Sequence, residues 1–400
     1  MEAALEWDEA RDILLDAVSP TETEQIGLSD SCGRILAEDV TAADNVPPFD
    51  RSPYDGYALR SEDTGSCPVT LRILEEIPAG GVSHIPLTAG TAVKILTGAP
   101  IPPGADAVVK FEDTAFTPET VTILAPVRAG DSIVRAGEDV RQGQLLAAVG
   151  TVIDPALMGT LAAQGIDMPL VYRRPVIGIV STGSELLEPG QPLLPGKIRN
   201  TNRYSLAAAV ENAGCTPLYL GTAGDDTEEI ARLLGDGLAR CDAVIATGGA
   251  SVGDYDLTPA AMELAGAELL FRHVRLKPGG ACAYGKAGKK LVCVLSGNPS
   301  SSMTNFYLLT LPVLKKLTGQ AAYLPEYFPV RLAGDFDRKS PLTRALRGQL
   351  DLSDGTARLV LTGDQGNTVL SSLIGCDIMA LVAAGSGKLP AGTVLKGFRL

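Results

Sequence analysis

Histidine is nearly missing from this chain of 400 residues: only His84 and His273 are present. A zinc centre built from imidazoles, or a Ser-His-Asp triad, has little material to work with. Cysteine is present seven times, at 32, 67, 215, 241, 282, 293 and 376, in an odd number, at irregular spacing and with no Cys-x-x-Cys. That pattern argues against a disulfide framework and suits a reduced, cytoplasmic compartment. No stretch approaches the ~20 apolar residues needed to cross a bilayer. The acidic start, Met1 to Asp8, shows no secretory signal. Positive charge is in deficit as well: 34 Lys and Arg against 47 Asp and Glu leave a net charge of −13. Non-specific nucleic-acid binding needs a basic surface and is argued against, whereas a small anionic ligand needs only local positive charge.

What the chain does contain is glycine (44), proline (27) and 45% hydrophobic residues, the make-up of a globular protein rich in turns. Its length predicts two to four domains. Trp7, Ala10, Ile13, Leu14, Ala17 and Val18 recur at helical spacing before Ser19-Pro20. Asp154-Pro155 signals a second helix that Gly165 stops. Between them, residues 45 to 150 hold short β-rich runs at 69–74, 92–96, 107–110 and 120–124, separated by Pro and Gly turns. From Arg174 the pattern alternates: strands at 176–182, 217–221, 243–247 and 291–295, helices at 204–213, 228–239 and 300–317. This alternation predicts a doubly wound, mainly parallel α/β sheet with ligands outside the carboxyl ends of its strands. Short strands return at 330–333, 346–351, 357–361 and 394–398, predicting a small C-terminal β domain.

The chemistry concentrates in the glycine loops of the α/β segment. Thr247-Gly248-Gly249-Ala250-Ser251-Val252-Gly253 follows one strand, and Ser296-Gly297-Asn298-Pro299-Ser300 leads from another into a helix. Strand, glycine turn and helix N-terminus present bare N–H groups to an anion. Ser181-Thr182-Gly183-Ser184-Glu185 is a third such loop. Asp225-Asp226 and Asp254/Asp256 stand at loop ends, where they either cap helices or hold a hard cation beside a phosphate. Asn200 to Arg203 reads as a helix cap with possible ligand contact. Lys277-Pro278-Gly279 adds a cation, with His273 and Arg275 nearby. Two glycine loops, one lysine and two carboxylates predict a phosphate-bearing ligand held with a metal ion.

Taken with Pro47–Ala58, Ile95–Pro103 and Gly137-Glu138-Asp139, these segments occur in the order found in the molybdopterin molybdenumtransferase family, which includes bacterial MoeA and the E domain of gephyrin, and the chain strongly resembles it. The resemblance implies a multi-domain α/β plus β protein. Residues 1–44 with 146–173 would form a helical linking domain, 45–145 a β-rich insertion domain, 174–322 a doubly wound molybdopterin-binding domain, and 323–400 the C-terminal β domain. The implied reaction joins adenylylated molybdopterin and molybdate, with Mg²⁺-dependent cleavage of the phosphoanhydride and release of AMP. By motif, the resemblance places Glu185, Asp225 and Asp256 on the metal. It gives Lys277 a catalytic role on the oxyanion, with Asp55 and Asp139 supplied across a homodimer. Pterin, phosphate or oxyanion contacts fall on Thr97, Arg135, Ser181, Thr182, Gly183, Gly248, Gly249, Ser251, Gly253, Pro278, Gly279, Gly297, Asn298, Pro299, Ser300, Arg347 and Ser372. It also implies transient contacts with a molybdopterin adenylyltransferase and with molybdoenzyme apoproteins, but none with nucleic acid or membrane.

The chain departs from the family pattern at Ser52-Pro53-Tyr54, Ser184, Ser296, Gly280 and His273. The missing aspartate at 184 and lysine at 280 leave room for a tungstate-preferring paralogue. Two other readings stand beside the transferase: an adenylyltransferase, which needs no β insertion, and a non-catalytic storage or scaffold protein.

Overall fold

Trp7, Ala10, Leu14 and Leu15 lie on the buried face of helix α1 (Trp7–Asp16), as the apolar spacing predicts. The structure, a computed structural model, describes residues 4–249 and 257–400. Its chain divides into two units, one made of Met1–Glu38, Val149–Pro155 and Met168–Leu400, the other of Asp39–Ala148 and Ala156–Asp167.

The smaller unit is built on strands β1 (Gly56–Leu59), β2 (Val69–Ile77), β3 (Thr91–Ile95), β4 (Ala107–Lys110), β5 (Thr114–Phe116) and β6 (Thr120–Ile123). They form one sheet in the order β4-β1-β3-β2-β6-β5, in which only β2 and β3 run parallel. Tyr57 and Leu59 pack into one cluster and Ala58, Val93 and Ile95 into another, so both faces of the sheet are covered. Strand β1 escapes the sequence pattern because all four of its residues are buried, which leaves no alternation to read, and Gly-Tyr-Ala-Leu holds no β-branched residue. Gly56 starts it because a Cβ there would stand 2.1 Å from the Val109 carbonyl oxygen of β4. Helix α2 (Pro155–Ala163) follows, with proline in its first turn as expected.

In the larger unit, β7 (Val176–Thr182), β8 (Thr216–Ala223), β9 (Ala243–Thr247), β10 (Glu268–Arg272), β11 (Leu276–Lys277), β12 (Cys282–Ala287) and β13 (Lys290–Leu295) follow in sequence. All but β11 make a six-stranded sheet in the order β8-β7-β9-β13-β12-β10. The first four are parallel, and β12 and β10 add an antiparallel edge. Helices α3 (Asn202–Asn212), α4 (Thr227–Arg240), α5 (Thr258–Leu264), α6 (Pro299–Asn305) and α7 (Leu311–Leu317) cover it. Ile177, Ile179, Ile245 and Cys293 face α1, α3, α6 and α7, while Val180, Val244, Val292 and Val294 face α4 and α5. The strand period of two thus sends alternate residues into two separate cores, the doubly wound arrangement that the alternation predicts.

The helix expected over 300–317 is not uniform. Phe306–Thr310 is a π-helical turn between α6 and α7. Pro312 has no N–H to return to the preceding turn, and widening the helix just before it accommodates that loss.

The chain ends in β14 (Phe328–Leu332), β15 (Thr343–Asp351), β16 (Arg358–Leu361), β17 (Ile378–Val382) and β18 (Val394–Arg399). Pairing runs β15-β16-β14-β18-β17 and back to β15, which closes a small barrel. Four of these strands are anticipated by the sequence pattern; β17, which closes the ring, is not. Strand β11 pairs parallel to β15, setting Lys277 opposite Arg344. All seven cysteines are free thiols. Among the described residues no helix is long and apolar enough to cross a membrane.

Candidate active site

Four parallel strands end at one edge of the central sheet, and the loops that follow them line a cavity of about 540 Å³. Gly183 and Glu185 follow β7, Asp225 follows β8, Gly248 and Gly249 follow β9, and Ser296 to Pro299 follow β13. The N-terminal end of α3 adds Asn200, Thr201 and Asn202. This is where ligands bind in open α/β sheets, because right-handed crossovers place successive βα loops at the same edge.

Glycine is required here by contact as much as by conformation. Gly248 has φ of +99°, and a Cβ on it would lie 2.4 Å from Thr182 Oγ1 and 2.5 Å from the Thr182 carbonyl. Gly249, at φ +67°, would meet Thr258 Oγ1 at 2.3 Å. Thr182 is buried and donates its hydroxyl to Thr247 O at 3.0 Å, tying the first loop to the third. Ser181 is also buried and accepts from Asn200 Nδ2 at 2.9 Å, while Asn200 Oδ1 accepts from Arg203 N at 3.2 Å. Asn200 therefore supplies the cap expected of this tetrapeptide. Asn202 donates to Gly297 O at 2.9 Å, which joins the helix to the fourth loop.

Two carboxylates open onto this cavity. Glu185 folds back over Gly183, and Asp225 is exposed and accepts from Ser184 Oγ at 2.7 Å. Ser184, where an aspartate is common in the family pattern, acts as a donor that orients Asp225. Its neighbour Asp226 caps α4 by accepting from Glu229 N at 2.8 Å. Asp256, Ser251 and Gly253 lie outside the described residues, and among those described no group of three His, Cys, Asp or Glu side chains is placed to hold a metal. Glu185 and Asp225 are nonetheless the hard oxygen donors that suit Mg²⁺.

A second cavity of about 480 Å³ shares Ala281, Ser296 and Asn298 with the first. Lys277, Pro278 and Gly279 line it, together with Arg338, Arg344 and Gln365. Lys277 is exposed. Arg344 is 3% exposed, with its Nε buried and unpartnered, and burial, then the nearby Arg338, push its pKa down. Arg338 is paired with Asp364. The turn that carries Lys277 is held from beneath: Asn305 Nδ2 donates to Gly279 O at 2.8 Å, and the Tyr284 hydroxyl donates to Asn305 Oδ1. Arg338, Arg344, Gln365 and Asn305 are not identified from the sequence. No local motif marks the first three: β11–β15 pairing brings Arg344 to the lysine, and loops of the barrel on either side of it bring Arg338 and Gln365.

Several expected residues line neither cavity. Ser300 is buried and donates to Gly366 O at 2.8 Å. Arg347 is fully buried, with Nε donating to Ser372 Oγ at 2.9 Å and Nη2 to Gly366 O at 3.0 Å. Both therefore brace the barrel loop beside the second cavity. Asp55, Thr97, Arg135 and Asp139 belong to the smaller unit. There Asp55 accepts from Thr97 N at 2.7 Å and Thr97 Oγ1 at 2.8 Å, and these bonds lower its pKa. Arg135 donates to Asp50 at 2.6 Å, and Asp139 N donates to Val46 O. Arg51 bridges to both Pro100 and Val134, so three segments far apart in sequence meet in one patch.

Residues 5–165 match the family model described as MoeA N-terminal region (domain I and II), and residues 178–316 match that of a probable molybdopterin binding domain. The chain is 37% identical over 383 residues to a Bacillus subtilis protein named molybdopterin molybdenumtransferase, covering 94% of this chain and 89% of that one. A protein of the same name from Staphylococcus aureus is 35% identical over 371 residues, covering 92% and 88%. Among solved structures, the molybdopterin biosynthesis moeA protein from Pyrococcus horikoshii superimposes with a TM-score of 0.85 at 31% identity over the whole of both chains.

Proposed function

The chain belongs to the molybdopterin molybdenumtransferase family, an enzyme family of molybdenum cofactor biosynthesis, and we propose that it inserts molybdenum into the dithiolene of adenylylated molybdopterin with hydrolytic loss of AMP. The substrates would be that nucleotide–pterin conjugate and molybdate. Water attacks the phosphoanhydride and AMP leaves, while molybdate gives up oxide as water as its Mo–S bonds form, so molybdenum remains on the dithiolene sulfurs.

The observation that carries this reading is the junction of two unlike cavities through Ala281, Ser296 and Asn298. The first offers backbone, amide side chains and two carboxylates, the set suited to a pterin with its phosphates. Glu185 and Asp225, with Asp256, would hold Mg²⁺, which supplies charge neutralisation at the phosphates when bound. The second offers Lys277 and Arg344, two cations with no carboxylate partner among the described residues, and an oxyanion such as molybdate supplies the missing negative charge. Positioning and charge neutralisation are the main requirements of phosphoanhydride cleavage, so no protein nucleophile is needed.

The reading extends to a homodimer in which Asp55 of the partner subunit, set by its Thr97, and Asp139 of the partner subunit complete the catalytic groups. Transient contacts with the adenylyltransferase upstream and with molybdoenzyme apoproteins downstream follow from the same role. AMP release from adenylylated molybdopterin, with and without molybdate, tungstate and Mg²⁺, tests the reading. Release that depends on both the oxyanion and Mg²⁺ is expected. Tight pterin binding without AMP release under any of these conditions overturns it.

A further inference from the structure

A third cavity, of about 220 Å³, lies in the larger unit and shares no lining residue with the two described above. Helix α3 separates it from the first: Asn202 at one end of the helix lines the catalytic cavity, and Asn212 at the other lines this one. Eleven residues at 1.5 Å each make that distance about 16 Å.

Its walls are cationic: Arg34, Arg173, Arg174 and Lys315 all contribute. Two of these are already answered. Arg173 is held by Asp242 and Glu22, and Arg34 Nη2 donates to Glu24 and to the Tyr172 carbonyl. Arg174 and Lys315 make no side-chain hydrogen bond or ion pair among the described residues, so the cavity keeps an excess of positive charge. Two helices, α3 and α7, end beside it, and their negative dipole ends favour those two cations.

The dipoles do not account for a second pair of observations. Arg34 is 9% exposed, and its Nε–H is buried with no acceptor. Gln320, also in the lining, has a buried Oε1 with no donor. An orphaned buried polar atom costs about 1–3 kcal/mol, so an occupant that answers both is favoured. Such an occupant must be anionic for the cations, accept from Arg34, and donate one proton to Gln320.

We propose that this cavity binds inorganic hydrogen phosphate. Unprotonated oxygens accept from Arg34 Nε, Arg174 and Lys315, and the P–OH donates to Gln320 Oε1. Sulfate has the same shape and charge but no proton at neutral pH, so it leaves Gln320 unsatisfied and faces its lone pairs.

Isothermal titration of the full chain carrying Lys277→Ala, which removes the exposed cation of the second cavity, weakens anion binding there and leaves the new site untouched. We expect one phosphate per chain, weakened tenfold or more by adding Lys315→Ala or Arg174→Ala. Sulfate should bind at least tenfold more weakly than phosphate, and Gln320→Leu should abolish that preference. Glycerol 3-phosphate, a dianion without a P–OH at neutral pH, should bind as weakly as sulfate. Melting curves without anion check that the variants remain folded. Absence of phosphate binding in Lys277→Ala, indifference to both Lys315→Ala and Arg174→Ala, or sulfate binding as tight as phosphate would each overturn the proposal.

Discussion

The two adjoining cavities of the candidate active site are made in opposite ways. The first is assembled mainly from loops that follow strands of one parallel sheet, and its polarity comes largely from backbone, hydroxyls, amides and two carboxylates, with Arg199 its one cation among the lining residues. The second is assembled where a turn of the α/β sheet meets the barrel, and its polarity comes from side-chain cations drawn from both. Backbone donors tolerate little change in shape but almost any change in side-chain charge. A cation cluster behaves the other way. The first cavity should therefore break by steric intrusion and the second by loss of charge.

The largest effect is expected from Gly248→Ala. The new methyl meets the Thr182 backbone and hydroxyl within 2.5 Å at a φ that disfavours any side chain. Pterin binding should fall below detection and stability by about 2 kcal/mol, while molybdate binding alone persists. Direct titration of each ligand and urea unfolding check this, and retained pterin binding would remove the distinction. Lys277→Ala should do the reverse. Molybdate affinity drops about 10- to 100-fold, the worth of a charge-assisted contact, with pterin affinity unchanged.

Asn305→Ala probes how the second cavity is held rather than what it presents. It orphans the Gly279 carbonyl and removes one partner of Tyr284, which keeps Thr310 at 3.0 Å. A loss of about 1–3 kcal/mol in urea unfolding is expected, accompanied by weaker molybdate binding, because the lysine turn is no longer fixed. Asn305 is fully buried, so unchanged stability would mean that the turn is held by other contacts.

The smallest effect concerns pH. Burial, then the neighbouring Arg272, lower the pKa of His273, which ends β10 at φ +61°. The unfolded chain then takes up a proton near pH 6.5 before the folded one does. Stability is complete above that pH and declines as pH falls through it, until the folded histidine also protonates. His273→Asn, whose side chain tolerates this φ, should flatten unfolding curves measured between pH 7.5 and 5.5. An unchanged slope would exclude His273 as the source.

How far the site was legible follows from the same contrast. Asp226 at the α4 cap, Asn200 at α3 and the glycines after β7, β9 and β13 could each be read locally, since strand, turn and cap chemistry are properties of a few consecutive residues. Strands β1 and β17 could not: burial on both faces leaves no alternation, and neither stands in the strand–loop–helix repeat that marks the equally buried β9 and β13. Arg347 and Ser372 were placed near the oxyanion by resemblance, yet they are bonded to each other inside the barrel. Arg338 and Arg344, which do line the second cavity, carry no motif.

The sequence by itself determined the parallel sheet and the edge at which its ligand loops gather. Hydrophobic alternation sets the strands, and the hand of the crossovers places every loop at their carboxyl ends. Only the tertiary structure decided that Lys277 stands beside Arg344. That meeting depends on β11 and β15 pairing in one register across a long stretch of chain, and a non-local register is fixed by the closed barrel and its buried core rather than by any residue's immediate neighbours.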